Sequence, residues 1–125
     1  MNNQINHSRV CFGIGLLYLG IAIILGAFGA HGLKDILDDY GKDIFFKANF
    51  YHFVVAFTIL LFSNANLGSL KLSVRLLLLA SFIFSGSLYL LAITGLKWLG
   101  AVTPIGGTLM IGVILYQGWK AIREK

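Results

Sequence analysis

The stretch VCFGIGLLYLGIAIILGAFGAHGL, which runs from Val10 to Leu33, contains no charged residue over 24 positions. A transmembrane helix needs roughly 20 consecutive, mostly apolar residues. The same property recurs in the windows 48–70, 76–96 and 98–119, and each of the four windows has a basic residue on both sides. The sequence therefore predicts a chain that crosses a bilayer four times.

The composition supports a membrane protein rather than a soluble helical protein. Hydrophobic residues make up 58 % of the chain and charged residues 12 %, against roughly 25 % charged in soluble domains. One Lys or Asp at the centre of a membrane helix costs about 2.5–3.5 kcal/mol, whereas each Leu or Ile contributes only about 0.3–0.6 kcal/mol. A soluble bundle also needs a polar face on every helix, and the four windows have none.

The predicted fold is a single domain, residues 1–125, of the all-α membrane class. Four transmembrane helices are expected to form an up-down-up-down bundle, because short connections force neighbouring helices to be antiparallel. The expected spans are residues 10–31, 48–67, 76–96 and 98–119.

The segment between the first two spans has a pattern of its own. Five apolar residues recur there at helical spacing, and six charged residues, four Asp and two Lys, fill the other face. The five are Leu33, Ile36, Leu37, Tyr40 and Ile44. The pattern predicts a short amphipathic helix over residues 33–46 that lies along the outer membrane surface. A simpler interpretation is that this helix only covers the end of the bundle.

The distribution of basic residues predicts the orientation. If sides alternate after each span, six Lys and Arg residues fall on the side of the termini and four on the other side. The six are Arg9, Lys71, Arg75, Lys120, Arg123 and Lys125; the four are Lys34, Lys42, Lys47 and Lys97. The positive-inside rule then places both termini in the cytoplasm. The net charge of +5 is explained by basic residues at headgroup depth, so no nucleic-acid partner is expected.

Small residues within the windows are candidates for helix packing, because they let membrane helices approach closely. Those at four-residue spacing are Ala22, Gly26 and Ala30 in the first span, Ser81 and Ser85 in the third, and Thr108 and Gly112 in the fourth. They could join helices within one chain or between chains. The expected partners are the lipid bilayer and either a second copy of the chain or another membrane protein.

A second group of residues forms a candidate polar site in the outer half of the membrane. Its members are His31, His52, Tyr89, Thr103 and Pro104. Proline removes one helical hydrogen bond and frees a carbonyl, which adds irregular backbone to the same layer. One hypothesis is that these residues only form hydrogen bonds that tie the first loop to the bundle. The alternatives are binding of a solute or quinone, or of a haem or metal through His31 and His52.

The sequence contains no recognisable catalytic motif. Ser85 and Ser87 have no histidine and acid nearby in the sequence, and the glycine clusters lack a phosphate-loop lysine. Two histidines without a carboxylate or thiol at ligand spacing do not define a metal site, so no cofactor or metal is predicted. The predicted function is a non-enzymatic accessory or interaction protein of the cytoplasmic membrane. The alternatives are a small oligomeric carrier or channel, or a cofactor-binding protein.

Four blocks of the sequence resemble one bacterial family. They are Gly26–Leu33, Tyr51-His52, Phe84–Tyr89 and Thr103–Gly107. In this order they are similar to the signature blocks of the bacterial membrane proteins grouped as domain of unknown function four-two-three, which have a eukaryotic relative called transmembrane protein two-five-six. The resemblance extends from Val10 to Trp119. It implies a small multi-span inner-membrane protein without an established activity, and it assigns no catalytic role to either histidine.

Overall fold

The computed structural model describes residues 2–65 and 68–124, which form four α-helices. They are α1 (Asn2–His31), α2 (Asp39–Asn64), α3 (Leu70–Thr94) and α4 (Leu99–Arg123). The shortest has 25 residues, or about 37 Å at 1.5 Å per residue, which exceeds a hydrocarbon core of roughly 30 Å. All four helices are long and apolar enough to cross a membrane. The predicted all-α fold class is confirmed.

Successive helices are antiparallel, as the residue pairs that connect them show. Neighbouring residue pairs are Ser8 with Ser63 and Gly29 with Phe45 across α1 and α2, Gly41 with Ala92 and His52 with Tyr89 across α2 and α3, and Ser73 with Gln117 and Ser87 with Thr103 across α3 and α4. In each set the residue number rises along one helix as it falls along the other. The topology is therefore up-down-up-down.

The bundle is open rather than closed into a ring. Helix α1 packs on α2 and touches α3 only lightly, while α4 packs on α3 alone; in the part of the chain that the structure describes, α1 and α4 share no contact. Only 22 % of the most apolar window of α1 and of α4 is buried, against 39 % for α3. Because α2 and α3 occupy the middle, the outer faces of α1 and α4 are left for lipid or for a partner.

The apolar core lies between the two central helices. Val55, Ala56 and Ile59 of α2 and Leu77 and Ala80 of α3 have no exposed surface. They belong to one cluster that also includes residues of α1 and α4. Packing on α2 and α3 thus holds the two outer helices in place.

The separate amphipathic helix predicted over residues 33–46 is corrected by the structure. Residues 32–36 form turns, and residues 39–46 are the first two turns of α2. The Asp38 side chain accepts a hydrogen bond of 2.7 Å from the Gly41 N–H, which caps the helix at this point. Leu33 and Leu37 are buried against Phe45, so the segment packs on the bundle rather than lying on the membrane surface.

Three helix ends fall short of the predicted span limits: α2 ends at Asn64, α3 ends at Thr94 and α4 begins at Leu99. Gly95 has a φ of 71° and its N–H donates to the Leu91 carbonyl at 2.8 Å, so α3 stops at Thr94 instead of residue 96. This left-handed glycine is a common helix terminator. Trp98 is the residue before α4 rather than its first residue. Residues 66 and 67 of the second predicted span, and Lys125, lie outside the described residues.

Candidate functional site

His52 is the centre of a hydrogen-bonded polar cluster in the interior of the bundle. It is the fourteenth of the 26 residues of α2 and only 3 % of its surface is exposed. Its Nδ1 lies 3.1 Å from the hydroxyl of Tyr89 on α3. The structure therefore brings together two of the five residues of the predicted polar site, from two different helices.

Asn49 connects this pair to α1. It lies one turn before His52 on α2, and its Nδ2 donates to the Ala22 carbonyl of α1 at 2.8 Å and to the Tyr89 hydroxyl at 3.1 Å. Because the Tyr89 oxygen accepts from Asn49, its own proton is free to be donated to Nδ1 of His52.

The other ring nitrogen of His52 has no such partner. Among the described residues Nε2 makes no hydrogen bond, although the main chain of Tyr18 lies beside the imidazole. The Tyr18 ring packs against the imidazole with centroids 4.0 Å apart, and its hydroxyl bonds to the Ser81 hydroxyl of α3. The "His52 cluster" (Tyr18, Asn49, His52, Ser81 and Tyr89) thus joins three helices.

The structure does not bring His31 to this cluster. His31 is the last residue of α1 and is exposed, thirteen residues beyond the Tyr18 that touches His52. Thirteen helical residues span about 20 Å. The predicted shared layer of two histidines is corrected. Helix α2 begins at Asp39 rather than at residue 48, where the predicted span began, so His52 is at the middle of its helix.

Thr103 belongs to a different contact, between α3 and α4, and Pro104 lies outside both contacts. The Thr103 hydroxyl lies 2.6 Å from that of Ser87, and each hydroxyl also lies within hydrogen-bond distance of a carbonyl of its own helix. Pro104 is exposed and its carbonyl accepts from the Thr108 hydroxyl at 2.8 Å. The Ser87–Thr103 pair ties α4 to α3, and neither Thr103 nor Pro104 forms a hydrogen bond with the His52 cluster in the described residues.

The closest approach of two helices occurs at Gly106 of α4. A Cβ at this position would lie 2.5 Å from the backbone nitrogen of Phe84 and 2.7 Å from the carbonyl oxygen of Ala80. Real Cβ atoms do not approach backbone this closely, so only glycine fits. We call the set Phe84, Ser87, Thr103 and Gly106 the "Gly106 contact".

The predicted packing residues divide into two groups. Four of them lie between helices: Ala22, Ser81 and Ser85 are buried, and a Cβ at Gly26 would meet the Asn49 side chain at 2.8 Å. The other three, Ala30, Thr108 and Gly112, are exposed, and a Cβ at Gly112 would have no neighbour within 4 Å. Within the chain, therefore, Gly106 rather than Gly112 is the packing glycine of α4.

Sequence reasoning missed Asn49, Tyr18 and Ser87. Asn49 could have been predicted from the sequence. It is a strongly polar residue inside an apolar window, and it lies three positions before His52, on the same helix face. Tyr18 and Ser87 could not have been predicted, because hydroxyl groups are frequent in membrane helices and the rotation of each helix about its axis decides which residues they contact.

Neither a metal-ligand group nor one of the two described clefts coincides with the His52 cluster in the described residues. No group of three or more His, Cys, Asp and Glu side chains that could hold a metal occurs in the described parts of the chain. The two best-defined clefts lie at opposite ends of the bundle, one beside Arg9 and Asn64 and the other beside Tyr40 and Gly95, and neither is lined by His52. Chemically, the His52 cluster is an interhelical hydrogen-bond network.

Fold and site together define a small integral membrane protein with four membrane-spanning helices, whose interior polar residues connect its helices. The chain belongs to the family described as protein of unknown function (DUF423), whose model matches residues 25–107. That range contains Asn49, His52, Tyr89 and Gly106.

Several curated relatives are named UPF0382 membrane proteins. The chain is 43 % identical over 106 residues to a UPF0382 membrane protein of Staphylococcus epidermidis, covering 82 % of this chain and 87 % of the relative. It is 37 % identical over 110 residues to the UPF0382 membrane protein YwdK of Bacillus subtilis, with 82 % and 88 % coverage. A Haemophilus influenzae relative is 34 % identical over 92 residues, with 71 % and 74 % coverage. No solved structure matches the chain at a significant level.

Proposed function

We propose that this protein is a non-enzymatic accessory subunit of the cytoplasmic membrane that binds another membrane protein, or a second copy of itself, through α1 or α4. The observation that carries the proposal is the open bundle: α1 and α4 share no contact among the described residues. Each of the two has one neighbour with substantial contact, so most of its apolar surface is available to a partner helix.

The interior of the bundle supports the same proposal. The polar side chains of the His52 cluster hydrogen-bond mainly to one another, which gives them a structural use without any ligand. A carrier would need a substrate path near the midplane, usually beside an intramembrane charge. Among the described residues, no charged side chain is bonded to the His52 cluster, and the arrangement favours a structural interior over a transport site.

We further propose that both termini lie in the cytoplasm. The termini share one end of the antiparallel bundle, and that side carries six basic residues against four on the other. Fusion of a reporter that is active only in the cytoplasm to the C-terminus tests this orientation. An active fusion supports the proposal, whereas an inactive C-terminal fusion together with an active one in the 32–38 turn contradicts it.

Site-specific photo-crosslinking in native membranes tests the accessory role. A photoreactive residue at Thr108 or Gly112, on the open face of α4, is expected to give a discrete adduct whose mass identifies the partner. The matched control is Val113 on the same helix, which is buried at 6 % exposure and is expected to give none. An adduct of twice the chain mass indicates a homodimer, and another discrete mass a different protein. If no open position on α1 or α4 yields an adduct, the proposal is wrong.

A further inference from the structure

A cleft of about 460 Å³ opens between α1 and the end of α2, on the side of the bundle where the termini lie. Its lining residues are Ser8, Arg9, Phe12, Gly13, Ser63 and Asn64. The volume falls within the roughly 300–1,000 Å³ of ordinary small-molecule sites. The cleft separates into a polar part at the rim and an apolar part deeper along the helices.

Arg9 supplies the positive charge of the rim. It is exposed and is the last residue before the charge-free window of α1, so it lies at the depth where lipid phosphates are expected. The two ion pairs of the described residues are Asp43 with Lys47 and Lys120 with Glu124, and neither involves Arg9. Its guanidinium, which binds phosphate in a two-pronged geometry, is therefore available.

The remaining polar groups of the rim are partly committed to the protein. The Ser8 hydroxyl donates to the Ser63 carbonyl and joins the two helices. The Asn64 Nδ2 donates to the Leu60 carbonyl at 2.8 Å. The Asn64 side-chain oxygen accepts no hydrogen bond from the described residues, so it can accept one from a headgroup hydroxyl.

Gly13 makes the apolar part of the cleft open. A Cβ there would meet no heavy atom within 4 Å, in contrast to Gly15 two residues later, whose Cβ would meet the Leu60 side chain at 2.8 Å. Phe12 and Leu16 beside it are exposed at 42 % and 47 %. An acyl chain could lie along this surface directly below a phosphate held by Arg9.

We propose that this cleft binds an anionic phospholipid, with the phosphate on Arg9 and the first part of an acyl chain over Gly13. The inference is independent of the accessory role; only the assignment to the cytoplasmic leaflet, which is rich in anionic lipid, rests on the proposed orientation. A zwitterionic lipid such as phosphatidylcholine also has a phosphate, but its ammonium group offsets the charge that Arg9 would recognise.

Native mass spectrometry of the delipidated protein in detergent, with phosphatidylglycerol or phosphatidylcholine added, tests the proposal. The wild-type protein is expected to retain phosphatidylglycerol preferentially. Arg9→Gln should lower its affinity for phosphatidylglycerol about tenfold, as expected for the loss of a charge-assisted hydrogen bond. Gly13→Leu should lower it similarly by filling the cleft, and since a Cβ at this position would meet no heavy atom within 4 Å, the substitution should be accommodated without displacing α1 from α2.

Two matched variants distinguish the cleft from general attraction to charge. Arg75→Gln removes an exposed basic residue at the same end of the bundle, on α3, and Gly86→Leu adds the same side chain at another open glycine, also on α3; both should bind like wild type. If Arg75→Gln lowers the affinity for phosphatidylglycerol as much as Arg9→Gln does, or if Gly13→Leu leaves that affinity unchanged, the proposal is overturned. Displacement of the lipid by millimolar glycerol phosphate would also overturn it, in favour of a soluble phosphate ester.

Discussion

The His52 cluster and the Gly106 contact hold helices together in two different ways. Around His52, long polar side chains reach across α1, α2 and α3 and are joined by hydrogen bonds. At Gly106 the backbones of α3 and α4 themselves touch, because a side chain is missing. Close packing between small residues and interhelical hydrogen bonds are the two main sources of helix association in a bilayer, and this chain separates them in space.

The difference has a consequence for tolerance to substitution. A hydrogen bond between membrane helices contributes about 0.6 kcal/mol on average, since the unfolded chain in the membrane also finds partners. A backbone contact cannot be relaxed by turning a side chain. The Gly106 contact should therefore be far more sensitive to a single substitution than the His52 cluster, although the latter has more polar atoms.

The largest loss of stability is expected for Gly106→Leu. The new side chain must push α4 away from α3, and overpacking of this kind costs up to about 3 kcal/mol. Unfolding by SDS in mixed micelles would measure it through intrinsic fluorescence, because Trp98 and Trp119 lie at the start and near the end of α4. The free energy of unfolding of Gly106→Ala should lie between that of Gly106→Leu and that of the wild-type protein.

The control for this prediction is Gly112→Leu, the same substitution on the same helix at a glycine whose Cβ would have no neighbour within 4 Å. Its free energy of unfolding should stay within about 0.5 kcal/mol of wild type. Equal losses at the two glycines would show that α4 is not packed as the structure describes.

A smaller effect is expected for Tyr89→Phe. The variant keeps the ring that packs against Phe45 but removes the hydrogen bonds to Asn49 and His52. Two such bonds at about 0.6 kcal/mol each predict a loss of about 1.2 kcal/mol. The same unfolding measurement applies, with Tyr116→Phe as the control because Tyr116 is exposed at 51 % on α4. A loss no larger than that of the control would mean that the network contributes nothing to stability.

The smallest effect is expected for the hydroxyl pair within the Gly106 contact. A double-mutant cycle of Ser87→Ala and Thr103→Val should give a coupling energy of about 0.6 kcal/mol, the average for a single interhelical bond. Thr108→Val replaces Thr103→Val in the control cycle, since the Thr108 hydroxyl donates to the Pro104 carbonyl of its own helix. Its coupling to Ser87 should be zero within error; a coupling of equal size in both cycles would contradict the assigned contact.

The four helices were predictable from the sequence because length and the absence of charge are properties of a continuous stretch of residues. The start of α2 was not predictable in this way. The charges between Asp39 and Lys47 suggested a separate surface element, but charged residues do not interrupt a helix, and only the Asp38 cap marks where α2 begins. This error moved the expected position of His52 by more than two turns.

The candidate site was predictable in part, and the reason is geometric. His52 and Tyr89 could be identified as polar residues in apolar surroundings, and they do meet. Which of two glycines on α4 faces α3, and whether Asn49 reaches α1, depends on how each helix is rotated about its axis. One sequence, with apolar residues on every side of each helix, contains almost no information about that rotation.

The absence of contact between α1 and α4 also bears on how the protein is assembled. Every substantial helix pair in the described structure consists of neighbours in the sequence, so each helix entering the bilayer during synthesis meets its partner already inserted. Helices α1, α2 and α3 can pack together before α4 is inserted. The His52 cluster can therefore form as soon as α3 has been inserted, and α4 is added in the final step.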